Sequence, residues 1–145
     1  MRTLAFTTLM LLATAGVHAQ GDAVAKKSAA EAGAVVTDTG LVYRSLKDGS
    51  GASPAASDTV KVHYRGTFPD GKEFDSSYTR GQPIEFPLNR VIKCWTEGVQ
   101  RMKVGGKARL TCPAAIAYGD RGAGAVIPPG ATLLFDVELL GINGK

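Results

Sequence analysis

An α+β domain, one short helix laid against an antiparallel sheet, is the fold class this sequence predicts, and three observations predict it. Runs rich in β-branched and aromatic residues recur from Leu41 onward, glycine and proline turns separate them, and one stretch, KCWTEGVQRMKVGG at 93–106, repeats its apolar residues at helical spacing. Strands gathered around a single helix make an α+β layer rather than an alternating parallel sheet. With 145 residues and 44% hydrophobic content the chain can bury one core of ordinary size, so one domain is expected.

The elements follow in chain order. Arg2 precedes an apolar, uncharged run over 4–17, which ends in the small-residue sequence Val17-His18-Ala19. That pattern predicts a secretory signal peptide over 1–19 and a mature chain beginning at Gln20, exported to the periplasm or secreted. The run falls short of the roughly 18 continuous apolar residues that a membrane helix needs, and no later segment approaches it, so no membrane association is expected after signal cleavage. Residues 20–34 are dominated by alanine and small polar side chains, and Val24 is their main apolar anchor. They predict a flexible Ala-rich arm with at most a frayed helix, because an isolated helix this short is marginal in water. The folded domain is placed at 35–145.

Strands are predicted over 41–47, 59–68, 73–76, 107–112 and 131–140, each enriched in β-branched or aromatic residues. Asp48-Gly49-Ser50-Gly51, Pro69-Asp70-Gly71, Gly105-Gly106 and Pro128-Pro129-Gly130 supply the turn chemistry between them. In TVKVHY, 59–64, alternation sends Val60, Val62 and Tyr64 to one face and His63 to the other, which makes His63 an exposed or half-exposed strand residue. In the helical stretch Trp95, Val99 and Met102 form one apolar stripe; Glu97 is expected in the first turn, Lys103 in the last, and Gly105-Gly106 at the stop. Gly98 weakens this helix by up to about 1 kcal/mol, so packing against the sheet must hold it.

Composition and motifs exclude several chemistries. The formal charge of +4 becomes +3 once Arg2 leaves with the signal, and the cations are scattered without a nucleic-acid-binding signature, so no nucleic-acid partner is expected. GDRGAG, 119–124, lacks the Lys-Ser/Thr ending of a phosphate loop. Cys94 and Cys112 lack C-x-x-C spacing, and His63 is the only histidine of the expected mature chain, which gives neither a zinc site nor a Cys-His pair. What remains is a set of apolar and aromatic residues near strand ends and loops, which periodicity alone assigns to core or pocket alike.

The segments VKVHYRGTFPDGKEFDSSYTRGQPIEF, VIKCWTEGVQRMKVGGKARL and AYGDRGAGAVIPPGATLLFDVELL, in that order, resemble the FKBP-type peptidyl-prolyl cis-trans isomerases from Thr37 to Leu140. The resemblance implies a bent antiparallel sheet of five or six strands wrapped over one short helix. It also implies acceleration of X-Pro bond rotation during folding of exported proteins, with no metal and no cofactor. Carried over residue by residue, it makes Trp95 the floor of an apolar pocket walled by Tyr64, Phe74, Val91, Ile92 and Phe135. Asp75 and Tyr118 become the polar rim, with the Tyr118 hydroxyl and the Ile92 N–H as donors to peptide carbonyls. Arg80 is the basic residue that holds Asp75, Phe86 and Ile127 touch the substrate, and 117–129 forms a flap. The partners implied are proline-containing polypeptides and macrolide ligands of the same pocket. A monomer is implied too, since the arm before Val35 is shorter than the dimerisation domain of dimeric members.

Departures from the family pattern bear on sequence preference and macrolide affinity. They are Cys94 where glycine is common, Ile84 where an aromatic wall residue often stands, the small Ala123 in the flap, and a shortened segment between Phe86 and Val91. A non-catalytic proline-peptide module or chaperone using the same cleft is the alternative reading. The two cysteines allow a single pairing, and an exported protein meets oxidising conditions, so a Cys94–Cys112 disulfide is expected where the fold lays helix against strand. Two buried free thiols filling core space are the arrangement left open beside it.

Overall fold

A computed structural model describes residues 16–145, and most of the expected signal peptide, 1–15, lies outside the described residues. Helix α1 (Gly16–Ala29) precedes strands β1 (Ala34–Val36), β2 (Val42–Lys47), β3 (Thr59–Thr67) and β4 (Glu73–Ser76). One turn of helix, α2 (Ser77–Arg80), leads to β5 (Ile84–Pro87), α3 (Lys93–Gln100), β6 (Lys107–Cys112) and β7 (Leu133–Ile142). The strands form one seven-stranded sheet in the order β1-β2-β6-β7-β3-β4, with β5 sharing the β3 edge with β4. Every pairing is antiparallel.

The central pair is β3 with β7, matched from Val60↔Ile142 to Thr67↔Leu134 with a one-residue register shift between Lys61 and Val62. Alternation along β3 buries Val60, Val62 and Tyr64 and leaves Lys61 and Arg65 exposed, as the sequence pattern required. Phe135, Val137 and Leu139 of β7 and Ala108 and Leu110 of β6 complete that inner face, onto which α3 lays Trp95 and Val99, with Met102 just beyond its end. Each large apolar side chain buried this way is worth about 1.5–3 kcal/mol. Packing of that size holds an eight-residue helix that propensity alone would not. Gly98 has a reason here: a Cβ on it would sit 2.8 Å from Leu110 Cδ2, so glycine lets the helix approach the sheet.

The structure departs from the sequence reading in three places. Two short strands, β1 and β5, raise the strand number to seven; β1 exposes Val35 and Val36, so its pattern carries no buried face. Glu97 does not lie in the first turn of α3, which contains no acidic residue, and Lys103 lies beyond the last turn. Glu97 instead accepts a hydrogen bond from Thr39 and faces Arg101 at 3.8 Å, one turn along the helix, so its role is side-chain pairing rather than dipole compensation.

The third departure is the arm. The segment expected to be a flexible Ala-rich arm over 20–34 is helical as far as Ala29 and is fastened to the sheet. Buried Ser28 Oγ accepts a hydrogen bond from buried Thr111 Oγ1 at 2.9 Å, Glu31 pairs with Arg44, and Arg44 Nε donates to Ala32 O at 3.2 Å. Partners on β2 and β6 give this helix the stabilisation that it lacks in isolation. Among the described residues no helix is long and apolar enough to cross a membrane.

Candidate active site

Tyr64 on β3, Phe135 on β7 and Trp95 at the start of α3 meet because each lies on the inward face of its own element. Trp95 stands edge-on to three rings: Tyr64 at 5.2 Å, Phe135 at 5.4 Å and Phe86 of β5 at 5.5 Å between centroids. Phe74 of β4 meets Phe135 edge-on at 5.6 Å. Edge-to-face contacts of this kind add about 0.5–1.5 kcal/mol each beyond their area, so the wall is rigid before any ligand arrives. Gly66 makes the wall possible, since a Cβ there would lie 2.5 Å from the Phe74 ring and 3.0 Å from that of Phe135.

These rings enclose a hollow of about 480 Å3, closed further by Val91 and Ile92 from the segment entering α3 and by Tyr118 from the loop after β6. The volume suits a ring and its flanking peptide units rather than a large cofactor. Trp95 is almost wholly buried, and its indole N–H has no acceptor among the described residues.

The polar side of the hollow is a three-residue network. Tyr64 donates its hydroxyl hydrogen to Asp75 Oδ2, and Arg80 reaches Asp75 Oδ1 at 2.6 Å and the Tyr64 oxygen at 3.1 Å. Burial alone would push the Asp75 carboxyl up; the hydrogen bonds from Tyr64 and Arg80, with the guanidinium charge, outweigh it and hold Asp75 below the ordinary carboxylate range. Burial first, and then the bond to Asp75, raise the Tyr64 phenol. At neutral pH Asp75 is therefore an anion and Tyr64 a donor.

Two further donors are unspent. The Tyr118 hydroxyl makes no hydrogen bond among the described residues, and its side chain stays exposed at the mouth. The Ile92 carbonyl accepts from Trp95 N and Thr96 N, whereas its own N–H finds no acceptor among the described residues.

Nearly all the sequence-predicted residues converge here. Tyr64, Phe74, Asp75, Phe86, Val91, Ile92, Trp95, Tyr118 and Phe135 line the hollow, and Arg80 stands behind Asp75. Ile127 is not among the lining residues: the 117–129 loop turns its side chain into the core, and its carbonyl accepts from Ala123 N within that loop. Sequence reasoning missed Arg90, an exposed cation in the lining; its place directly before Val91-Ile92 was the available signal. His63 is half-buried outside the hollow, with Nδ1 at 2.8 Å from Ser77 Oγ and its ring stacked 4.6 Å from that of Tyr78. Cys94 and Cys112 are disulfide-bonded, with Cα atoms 5.8 Å apart, and both are fully buried.

The family model described as FKBP-type peptidyl-prolyl cis-trans isomerase matches residues 51–140. The chain belongs to that family. A probable FKBP-type isomerase of Haemophilus influenzae is 53% identical over 109 residues, which is 75% of this chain and 45% of the relative. FkpA of Escherichia coli is 51% identical over 126 residues, 87% of this chain and 46% of the relative. The chain thus spans about half the length of these FKBP-type relatives. The crystal structure of Escherichia coli FkpA superposes with a TM-score of 0.86 at 48% identity, over 91% of this chain and 62% of that one. A peptidyl-prolyl cis-trans isomerase from Pseudomonas syringae gives 0.82 at 36% identity, over 88% and 93%. The antiparallel sheet with α3 packed on its inner face is therefore the FKBP-type fold that the sequence implied.

Proposed function

We propose that this chain catalyses cis-trans isomerisation of X-Pro bonds in exported polypeptides, in the hollow floored by Trp95. The observation that carries the reading is the pairing of an aromatic-walled hollow with two free donors at its mouth, the Tyr118 hydroxyl and the Ile92 N–H. Rotation about a prolyl amide must cross a barrier of about 18–20 kcal/mol, because resonance is lost as the bond twists. The twisted amide has a less polar carbonyl than the planar one, so walls of Tyr64, Phe74, Phe86, Trp95 and Phe135 favour it relative to water. The two donors fix carbonyls of the flanking peptide, and the anionic Asp75, locked by Arg80, keeps Tyr64 in place. No bond is broken, so no nucleophile is called for. Each 1.4 kcal/mol or so of preference for the twisted state gives tenfold in rate.

Export to the periplasm or beyond is part of the proposal; the signal-like N-terminus and a buried disulfide, which persists in oxidising compartments, support it. The clients are then unfolded exported chains, and macrolides that mimic a prolyl amide would compete for the same hollow. A holding role without catalysis is a second reading, favoured by the exposed Tyr118 and Val126 on the 117–129 loop. A protease-coupled isomerisation assay with a panel of residues before proline tests the proposal. Acceleration that Asp75→Ala weakens is expected. Binding of the same peptides with no acceleration would leave only the holding role.

A further inference from the structure

At the end of the molecule where α3 stops, the turn after β2 and the start of β6 enclose a second hollow of about 230 Å3. Its lining contains the cations Lys47, Arg101, Lys103 and Lys107 against one carboxylate, Asp48, and that carboxylate already accepts the Ser45 hydroxyl at 2.6 Å. Four arginines elsewhere are closely matched, Arg44 with Glu31, Arg65 with Glu73, Arg80 with Asp75 and Arg109 with Asp136. Here Arg101 has only Glu97 at 3.8 Å, and the three lysines have no carboxylate in ion-pairing reach among the described residues.

The fold also forces like charges together. Lys47 and Lys107 are directly opposed in the β2–β6 register, an arrangement that destabilises a strand pair. Lys107 finds partial relief from Glu138, directly opposite it in the β6–β7 register, and from the Tyr78 ring centroid at 5.8 Å; Lys47 and Lys103 have no such aromatic neighbour among the described residues. The surround is rigid, because a Cβ on Gly49 would lie 2.4 Å from Lys103 O and 2.6 Å from Gly106 N, so the turn and the loop before β6 are pressed together. Tyr43 closes one side, its hydroxyl directed to Arg101 O at 3.5 Å.

We propose that this hollow binds a phosphate-class oxyanion, with Lys47, Arg101, Lys103 and Lys107 as its charged ligands. A tetrahedral oxyanion accepts charge-assisted hydrogen bonds from several directions at once and removes the Lys47–Lys107 repulsion. The group is carried either by a soluble phosphate or by a phospholipid headgroup.

The test is an amide NMR titration of the intact chain at constant ionic strength, with sodium phosphate and tripolyphosphate against chloride. Saturable shifts at Gly49, Gly106 and Lys107 are expected, with Ile92 unmoved. The double variant Lys47→Gln/Lys103→Gln should weaken binding at least tenfold, while Lys61→Gln/Lys72→Gln, exposed lysines outside the hollow, should leave it unchanged. Phosphate should raise the melting temperature of the wild type and not that of the first double variant. Cosedimentation with phosphatidylglycerol but not phosphatidylcholine vesicles, lost in that variant, would assign the headgroup; saturable phosphate binding without cosedimentation would assign the soluble anion. Linear shifts that chloride reproduces, or binding indifferent to Lys47→Gln/Lys103→Gln, would overturn the site.

Discussion

Arg80 holds Asp75 by a 2.6 Å ion pair, and Asp75 in turn takes the hydroxyl hydrogen of Tyr64, whose ring stands against the Trp95 indole. The carboxyl's folded pKa lies below its ordinary value, so the stability this network contributes is present above the unfolded carboxylate range and lost as pH falls through the depressed folded value. Isomerase activity should therefore be flat from about pH 5 to 8 and fall only below about pH 4. In Arg80→Gln the acid limb should move to higher pH, because a bond and a charge that favour the anion are gone. Carbon NMR titration of the Asp75 carboxyl beside pH-rate profiles checks this, and an unmoved limb would detach Asp75 from catalysis.

Tyr118 has a free hydroxyl on an exposed side chain, so removing it should disturb catalysis and not folding. Tyr118→Phe is expected to lower kcat/KM by about tenfold, the worth of one hydrogen bond in the twisted state, with the urea midpoint unchanged. Asp75→Ala should lower it further, since Tyr64 and Arg80 both lose their partner. Wild-type kcat/KM in both variants would move the site elsewhere.

The core could be read in the sequence because inward strand positions and the Trp95-Val99-Met102 stripe obey fixed periods, which the structure repeats. Periodicity assigns the same aromatics to core or pocket alike, and it was the resemblance to the FKBP-type family that singled out the site residues. What could not be read depends on tertiary neighbours. Arg90 reaches the hollow from a single 3-10 turn with no period to betray it, and Ile127 is turned into the core by its own loop, whose path turn residues alone do not determine. The arm before β1 is docked through single contacts, Ser28 to Thr111 and Glu31 to Arg44, that leave no apolar pattern.

Those contacts make a stability prediction. In Ser28→Ala the buried Thr111 hydroxyl loses its side-chain partner, which should cost about 1–3 kcal/mol. Adding Thr111→Val removes the orphaned hydroxyl and should recover part of the loss. Urea unfolding of the two single variants and the double variant measures the coupling; strict additivity would mean that α1 is not held through this pair.

The Cys94–Cys112 bond ties the start of α3 to the end of β6 across a sequence separation of 18 residues. Chain-entropy reasoning gives such a cross-link about 3 kcal/mol. The unreduced protein should take up no alkylating agent until it is denatured with reductant. Cys94→Ala/Cys112→Ala should unfold at lower urea by that amount, with a smaller loss of kcat/KM, because Trp95 is adjacent to Cys94. Two alkyl groups added without reductant would show free thiols instead.

Trp95 itself separates pocket from core. Trp95→Ala empties the floor between Tyr64, Phe86 and Phe135 and should cost about 3–5 kcal/mol together with peptide binding. Trp95→Phe keeps a ring against those three and removes an indole N–H that is buried without an acceptor among the described residues. Because an orphaned buried donor is itself unfavourable by about 1–3 kcal/mol, part of the lost packing is offset, and the Phe variant should stay within about 2 kcal/mol of wild type. Urea unfolding of the two variants gives the comparison, and equal losses would mean that the N–H is solvated and the floor is open. The same residue reports occupancy: Trp95 is the only tryptophan in the chain, so its fluorescence should change saturably with a proline peptide. That change should persist in Ile127→Val, which alters the core beneath the loop and not the lining.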